Sequence, residues 1–424
     1  MKKRWIAMLL AAAMVMGLAG CSSGNAGSGD GGSSDDTQGG SGETENISLT
    51  VWSPSEDQDP EYGEWLNTMC EQFAAEHPEW NINFTYGVCS ESDVKTLVPQ
   101  DVDAAADVFV YSSTGLENLC QANCLAEFGG SYLDTINEEY PESLVDTLVY
   151  DGGVYGVPIT TNTFFMYYDK SVFTEEDVTS LETMLEKGKV AIPLTDGFYM
   201  SAFYLGAGCT FFGEDGTDRD AGIVLNTDNA VAMTNYLVDL VANENLVVAS
   251  PDEAIAMMRE GTVDAYWCGT WQAAQTEEIL GENFGVAALP TVTVDGETMQ
   301  LKPFSSSKAI GVKSTTEYPE AAIALAMYLG GYDSQKLHYE VRNYVPCQKE
   351  LLASDEIQQD EVVMCDSYTI DNIAVPRSNY TEMAYFWTPA ESFGTELRDG
   401  VITHENAEAK TMAFHESANS SGVE

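Results

Sequence analysis

The sequence predicts an α/β protein whose sheets are parallel and doubly wound. Three observations carry that reading. Residues 47–111 alternate strand, helix, strand, helix, strand, and strands separated by helices return in parallel. The same alternation resumes after residue 150. The chain of 424 residues is 44% hydrophobic, enough to fill two or three domains and too apolar for a disordered chain.

Ile47 to Trp52 alternate apolar and polar and form the first strand. A polar loop from Ser53 to Pro60 follows. Trp65, Met69 and Phe73 recur every four residues with Leu66 and Cys70 beside them, one apolar helical stripe that His77-Pro78 ends. Ile82, Phe84, Tyr86 and Val88 alternate as a second strand. A helix over 91–99 then precedes a buried third strand, Asp107 to Tyr111. Cys120 and Cys124 read as i,i+4 neighbours on a helix.

Beyond residue 150, Tyr155 to Ile159 leads into a strand from Thr163 to Tyr168. Residues 228–242 carry a helical stripe of Val231, Met233, Leu237 and Leu240. Ser250-Pro251-Asp252-Glu253 starts a helix, with Ser as cap, Pro at the first position and Glu reaching back. That helix runs to Arg259-Glu260-Gly261, and Val263 to Trp267 is the next strand. Thr270 reads as the cap of a helix opening at Trp271. Phe284 to Pro290 is another strand, and Pro319 to Leu329 an apolar helix closed by Gly330-Gly331.

The chain carries 68 acidic and 18 basic side chains, a formal charge of −50. A surface this negative repels phosphate backbones and anionic lipid, which argues against nucleic-acid binding and against docking through a basic face. Solubility is the plain reading of the charge; a preference for cationic partners or divalent ions is the sharper one.

Lys2, Lys3 and Arg4 precede an apolar run from Trp5 to Gly17, too short for a stable span, and Leu18-Ala19-Gly20-Cys21 follows. This resembles the lipobox of bacterial lipoproteins, in which Cys21 is lipidated and becomes the mature N-terminus. Residues 1–21 are thus expected to be signal peptide and lipobox. Residues 22–45, nearly all Gly, Ser, Asp and other polar types, read as a flexible tether. Gly27-Ser28-Gly29-Asp30-Gly31-Gly32 fits G-x-G-x-x-G but follows no strand, so it reads as linker. The expected location is the outer face of the cell membrane, or the periplasm where an outer membrane exists.

Eight cysteines besides Cys21 allow disulfides or buried thiols alike. No cysteine pair stands at ligand spacing near a histidine pair, so no metal site is expected, and no cofactor motif is present. GxSxG, P-loop and HExxH signatures are missing, and no residue is read as catalytic. Asp215, Asp218 and Asp220 lack the Gly and Glu of a calcium loop and read as a surface turn.

Aromatic residues in turns are more informative. Tyr111 ends a strand and enters Ser112-Ser113-Thr114-Gly115. Phe198 and Tyr199 follow the turn Thr195-Asp196-Gly197. Trp271 comes straight after Gly269-Thr270, and Tyr385-Phe386-Trp387 just before Thr388-Pro389. Open α/β sheets bind ligands at such strand-to-helix junctions. A sugar has apolar C–H faces and a hydroxyl rim, so a flat aromatic ring covers the face while Asp, Asn, Gln and Thr bond the rim. Covering one face contributes roughly 2–3 kcal/mol. Micromolar affinity needs about 8 kcal/mol, so hydrogen bonds in a closing cleft must supply the rest.

Several segments occur in the order of one family: Leu125 to Phe128, Tyr155 to Pro158, Tyr167 to Lys170, Gly261 to Asp264 with Gly269-Thr270-Trp271, Phe284 to Pro290, and Met383 to Trp387. With the lipoprotein start, the chain resembles the extracellular solute-binding proteins of ABC importers, in the maltose-binding-like sugar branch. The resemblance implies two α/β lobes, each a mostly parallel sheet flanked by helices, joined by hinge segments near 158–162, 303–308 and 349–353. It implies a first lobe of 46–158 plus 307–350, a second of 162–303 plus 353–415, and a tail of 416–424. It implies a monomer that takes a carbohydrate ligand and hands it to permease subunits. Asp57, Gln58, Tyr111, Thr114, Asn162, Phe198, Tyr199, Trp271 and Trp387 should then line the cleft, with both tryptophans stacking on sugar and Asp57, Gln58, Thr114 and Asn162 meeting hydroxyls.

The chain departs from maltodextrin binders in three places. They carry a basic residue where Gln58 stands, an acid where Asn162 stands and an arginine where Glu391 stands. The resemblance therefore implies a disaccharide or short oligosaccharide without naming it. A second expectation keeps the same fold around a polyamine or peptide, and a third is a surface glycosidase, for which the sequence offers no specific carboxylate pair.

Overall fold

The computed structural model describes residues 44–420. Cys21, its lipobox, nearly all of the tether and residues 421–424 lie outside the described residues.

A six-stranded sheet forms the first lobe. The strands Glu45–Ser53, Trp80–Val88 and Val108–Ser112 are mutually parallel, as the alternation predicts, with the first in the middle. The helix Trp65–Glu76 lies on this sheet, its stripe of Trp65, Leu66, Met69, Cys70 and Phe73 wholly buried. Its C-cap is His77, as the His-Pro pair requires. The strand Phe304–Val312 joins antiparallel to Val108–Ser112, and Val157–Asn162 pairs antiparallel with it in turn. The helix expected over 91–99 is a single turn, Val94–Leu97, followed by a 3-10 turn containing Pro99.

The second lobe holds a five-stranded sheet ordered Leu246–Val248, Val190–Ile192, Ala265–Cys268, Phe165–Asp169 and Phe284–Ala287. Its central strands are apolar on both faces. Met166 and Tyr168 enter one core while Phe165 and Tyr167 enter another on the opposite side, which is what a period of two gives a strand covered on both faces. The capping box read at Ser250 is present: its side chain accepts from the Glu253 N–H, and Glu253 reaches back.

The two large cores meet along one polar seam. Phe304 belongs to the second-lobe core, while Ala309, Ile310 and Val312 belong to the first. Between them Ser305, Ser306 and Ser307 are buried. Ser306 pairs with Asn162 and Ser307 with Thr161. Two adjacent strands thus cross between lobes on short hydroxyl side chains, with no large apolar residue to lock the crossing.

Some local expectations change. Cys120 and Cys124 do not share a helix: the helix Leu116–Gln121 ends first, and Asn123 is left-handed at φ 53°. Thr270 caps nothing; a 3-10 turn spans Thr270–Gln272 and the α-helix starts at Ala273. The Tyr385-Phe386-Trp387 run lies inside the helix Ala384–Arg398, which carries Pro389 within it. Thr388-Pro389 favours an extended backbone locally, and burial of Phe386, Ala390, Phe393 and Leu397 on one face outweighs it. Gly331 follows the helix Pro319–Gly330 at φ −69°, not as a left-handed cap. Residues expected in the tail are docked: the last helix runs to Ala418, and Asn419 bonds both backbone groups of Ile223.

The eight cysteines from Cys70 to Cys365 are free thiols. Burial pushes Cys70, Cys120, Cys209, Cys268 and Cys365 up to about 12, which leaves them protonated and unreactive at neutral pH.

Asp366 is buried at the crossing, on the helix Glu361–Asn372, and accepts from Thr161 Oγ1 at 2.7 Å while its Oδ1 has no partner. Burial raises its pKa to about 7. The folded state therefore holds a proton that the unfolded chain has lost above its ordinary value of 3.8. Stability associated with this group is greatest below 3.8 and falls until pH passes about 7. Asp366→Asn is accordingly expected to stabilise the protein at pH 8 by up to about 4 kcal/mol. The gain should vanish near pH 4 in thermal melts, and an equal gain at both pH values would contradict it.

Candidate functional site

Where the seam opens, a cavity of about 210 Å³ lies between the lobes. Asn162, at the end of the crossing strand, and Lys308, on its antiparallel partner, form the floor. Arg342 and Tyr344, at the end of the helix Tyr332–Arg342 and just beyond it, form one wall. Trp271, on the 3-10 turn after the strand Ala265–Cys268, forms the other.

Trp271 is 54% exposed, the one exposed tryptophan among the described residues. Gly269 explains its posture. The six-membered half of the indole lies so close over Gly269 that a Cβ there would collide with it. Gly269→Ala is thus expected to tilt the indole off the cavity, lowering ligand affinity about tenfold with little change in melting temperature. Titration calorimetry against thermal melts checks this, and unchanged affinity would contradict it.

The opposite wall is fixed by a buried ion cluster. Asp57 is 1% exposed and its Oδ1 accepts from His338 Nε2 at 3.1 Å and from Arg342 Nε at 3.2 Å. His338 lies flat between Trp65 and Tyr344, with ring centroids 4.0 and 4.1 Å away. Burial raises the Asp57 pKa, but His338 and Arg342 outweigh it and hold the carboxyl below its usual value. Burial holds His338 neutral, with Nε2 carrying the proton and the unpartnered Nδ1 bare. Lys308 Nζ donates to Glu91 at 2.6 Å and to the Tyr344 hydroxyl at 3.1 Å. The cavity wall is therefore pre-ordered by pairs formed behind it.

Of the nine cleft residues expected from sequence, Asn162 and Trp271 line this cavity together. Asn162 Nδ2 donates to Ser306 Oγ at 3.0 Å. Asp57 supports the wall from behind and does not face the opening. Gln58 spends its amide on Ser53 O and Gly87 O, at 3.2 and 2.9 Å, pinning its loop to the sheet. Thr114 shares a 2.9 Å hydrogen bond with Ser112. Tyr111 is a core residue: it pairs with Ala309 of the strand Phe304–Val312, it is fully buried, and its hydroxyl donates to Tyr155 O at 3.1 Å. Phe198 is half-buried against Phe164, and Tyr199 is buried beside it. Trp387 is half-buried outside the cavity lining, packed on Phe304 and Phe386.

Lys308, Arg342 and Tyr344 escaped the sequence reading, and no signal along the chain marks them: only the fold brings two of its 18 basic residues onto one cavity. Among the described residues no group of three His, Cys, Asp or Glu could hold a metal ion.

Known proteins resemble the chain in sequence and fold. A structure solved with acarbose is 42% identical, with a TM-score of 0.81, covering 88% of this chain and 98% of that one. The maltose-binding MalE of Listeria monocytogenes, solved with maltose, is 22% identical with a TM-score of 0.72, covering 87% of this chain and 97% of that one. The maltodextrin-binding protein MdxE of Bacillus subtilis is 30% identical over 272 residues, 59% of this chain and 63% of that protein, so the match spans less than two thirds of that relative's length. Residues 68–364 match the family of bacterial extracellular solute-binding proteins. The chain belongs to that family, in its maltose-binding-like, two-lobe branch.

Proposed function

We propose that this chain is a lipid-anchored extracellular sugar receptor. It captures a disaccharide or short oligosaccharide between its lobes and hands it, chemically unaltered, to the permease of an ABC importer. The observation that carries the reading is the half-exposed Trp271 indole standing over a polar cavity with Asn162, Lys308 and Tyr344. An indole covers the apolar face of a sugar while the polar groups take its hydroxyls. Relatives named for maltodextrin and a neighbour solved with acarbose support the same chemistry.

In this reading Trp387 stacks further along the cleft and Phe198 and Thr114 border it. The lobes are 46–158 with 307–350 and 162–303 with 353–415, and the polar seam is the hinge on which they close. Cys21 carries the lipid and the protein works as a monomer on the outer face of the membrane. One ligand binds per chain and no bond in it is broken. Lys308 and Arg342 on the cavity make the site unsuited to a polyamine, despite the acidity of the whole chain.

A panel of glucans, galactans, xylans and mannans in a thermal-shift assay tests the reading. Saturation at a hundred times Kd adds about 2.7 kcal/mol to stability, so at least one sugar should raise the melting temperature by a few degrees. Silence across the panel would contradict the assignment.

A further inference from the structure

Arg377 is the odd cation beside the crossing. Among the described residues Arg219, Arg342 and Arg398 each hold a carboxylate, and Arg259 faces solvent. Arg377 holds none. It follows the short strand Val375–Pro376 that pairs with Phe304–Val312, and its backbone N–H is tied to Ser305 O at 2.8 Å. Its guanidinium lies over the Trp387 ring, 4.5 Å from the centroid. Its Nε is buried without a hydrogen-bond partner. Burial lowers its pKa to about 10. Nearby, Lys95 forms no ion pair among the described residues; burial and then the Arg377 charge lower its pKa, with Asp93 pulling the other way.

A half-buried guanidinium with no carboxylate and one buried, unused donor is destabilising on its own. Among the described residues nothing else uses it: Ser305 takes only the backbone, and Trp387 offers only a ring face. Its position is adjacent to the crossing, since Ser306, next to Ser305, bonds Asn162 on the cavity floor. The planar fork of an arginine suits two neighbouring oxygen acceptors, and stacking on indole fixes its plane.

We propose that Arg377, held flat on Trp387, is a ligand-binding residue that donates to two adjacent oxygens of the sugar and sets which sugars the cleft accepts. The inference rests on the sugar-receptor reading and names a residue of the same cleft. Its occupant is a neutral ring presenting a pair of neighbouring oxygens, with Lys95 as a further donor at the same end.

The test compares wild type, Arg377→Met and Arg377→Lys, titrated with the best neutral oligosaccharide from the panel and with a uronic-acid-terminated oligosaccharide of matched length. Arg377→Met should lose about ten- to hundredfold in affinity for the neutral sugar, and Arg377→Lys should recover only part of it, because a lysine cannot present the fork. The ligand-free Arg377→Met protein should melt no lower than wild type, which a merely structural arginine would not allow. Neutral-sugar affinity unchanged in Arg377→Met would overturn the proposal while leaving the receptor reading standing. Wild type binding the uronate more than tenfold tighter than the neutral sugar would also overturn it, since the cations would then be matched to an oxyanion. If wild type bound no sugar at all, the receptor reading itself would fall.

Discussion

Trp271→Ala is expected to abolish most ligand binding while leaving the fold intact. The indole is 54% exposed in the ligand-free protein, so its removal forfeits little packing. Sugar bound against it would cover on the order of 100–150 Å² of apolar surface, worth roughly 2.5–4 kcal/mol. That corresponds to a loss of about a hundred- to a thousandfold in affinity. Calorimetric titration should show the loss, and the ligand-free melting temperature should move by no more than about two degrees. Affinity within threefold of wild type would place the sugar elsewhere and remove the cavity as the binding site.

Asp57→Ala should have the largest effect on stability. The carboxylate is sealed beneath the cavity wall, and its two partners have little else to satisfy them. Removing one member of such a buried cluster costs about 3–5 kcal/mol, because a desolvated cation remains. Arg342 and Tyr344 rest on this cluster, so affinity should fall about tenfold as well. The pH dependence supplies an independent check. Asp57 has its folded pKa below the ordinary 3.8, so its contribution is present above 3.8 and is lost as pH falls through the folded value. His338, buried neutral with its folded pKa below 6.5, also favours the native state above 6.5 and loses that advantage on acidification. Both make acid destabilising, against the opposite trend at Asp366. The Asp57→Ala protein should thus show a shallower acid limb than wild type in denaturant midpoints. An unchanged limb would mean the cluster does not titrate as described.

Periodicity was enough for the elements that bury one clean face. The stripe from Trp65 to Phe73 needs a helix to bring its five apolar residues onto one side, and the alternation from Ile47 to Trp52 needs a strand. The serine-proline start at 250 is a local hydrogen-bond pattern, complete within four residues, and it survives unchanged in the fold. Where two local preferences conflicted, packing chose. Pro389 argued for an interruption, yet the buried face from Phe386 to Leu397 kept the helix.

The site was legible only in part, for the same reason. Trp271 and Asn162 stand where strands end and chain turns, which short-range sequence can mark. Tyr111 has the same local setting, but the strand Phe304–Val312, brought from far along the chain, pairs beside it, and it is buried. Lys308 and Arg342 lie on regular elements with nothing in their neighbours to announce a cavity. The Asp57–Arg342 contact joins residues 285 positions apart, beyond any pattern along the chain.

Alone, the sequence determined the fold class and the order of its elements, because those follow from short-range periodicity and side-chain chemistry. Tertiary structure decided which aromatics stay open, which cations reach the cavity and which carboxylates vanish into support. Those outcomes depend on burial and on charges meeting across long sequence separations, and burial is a property of the packed chain.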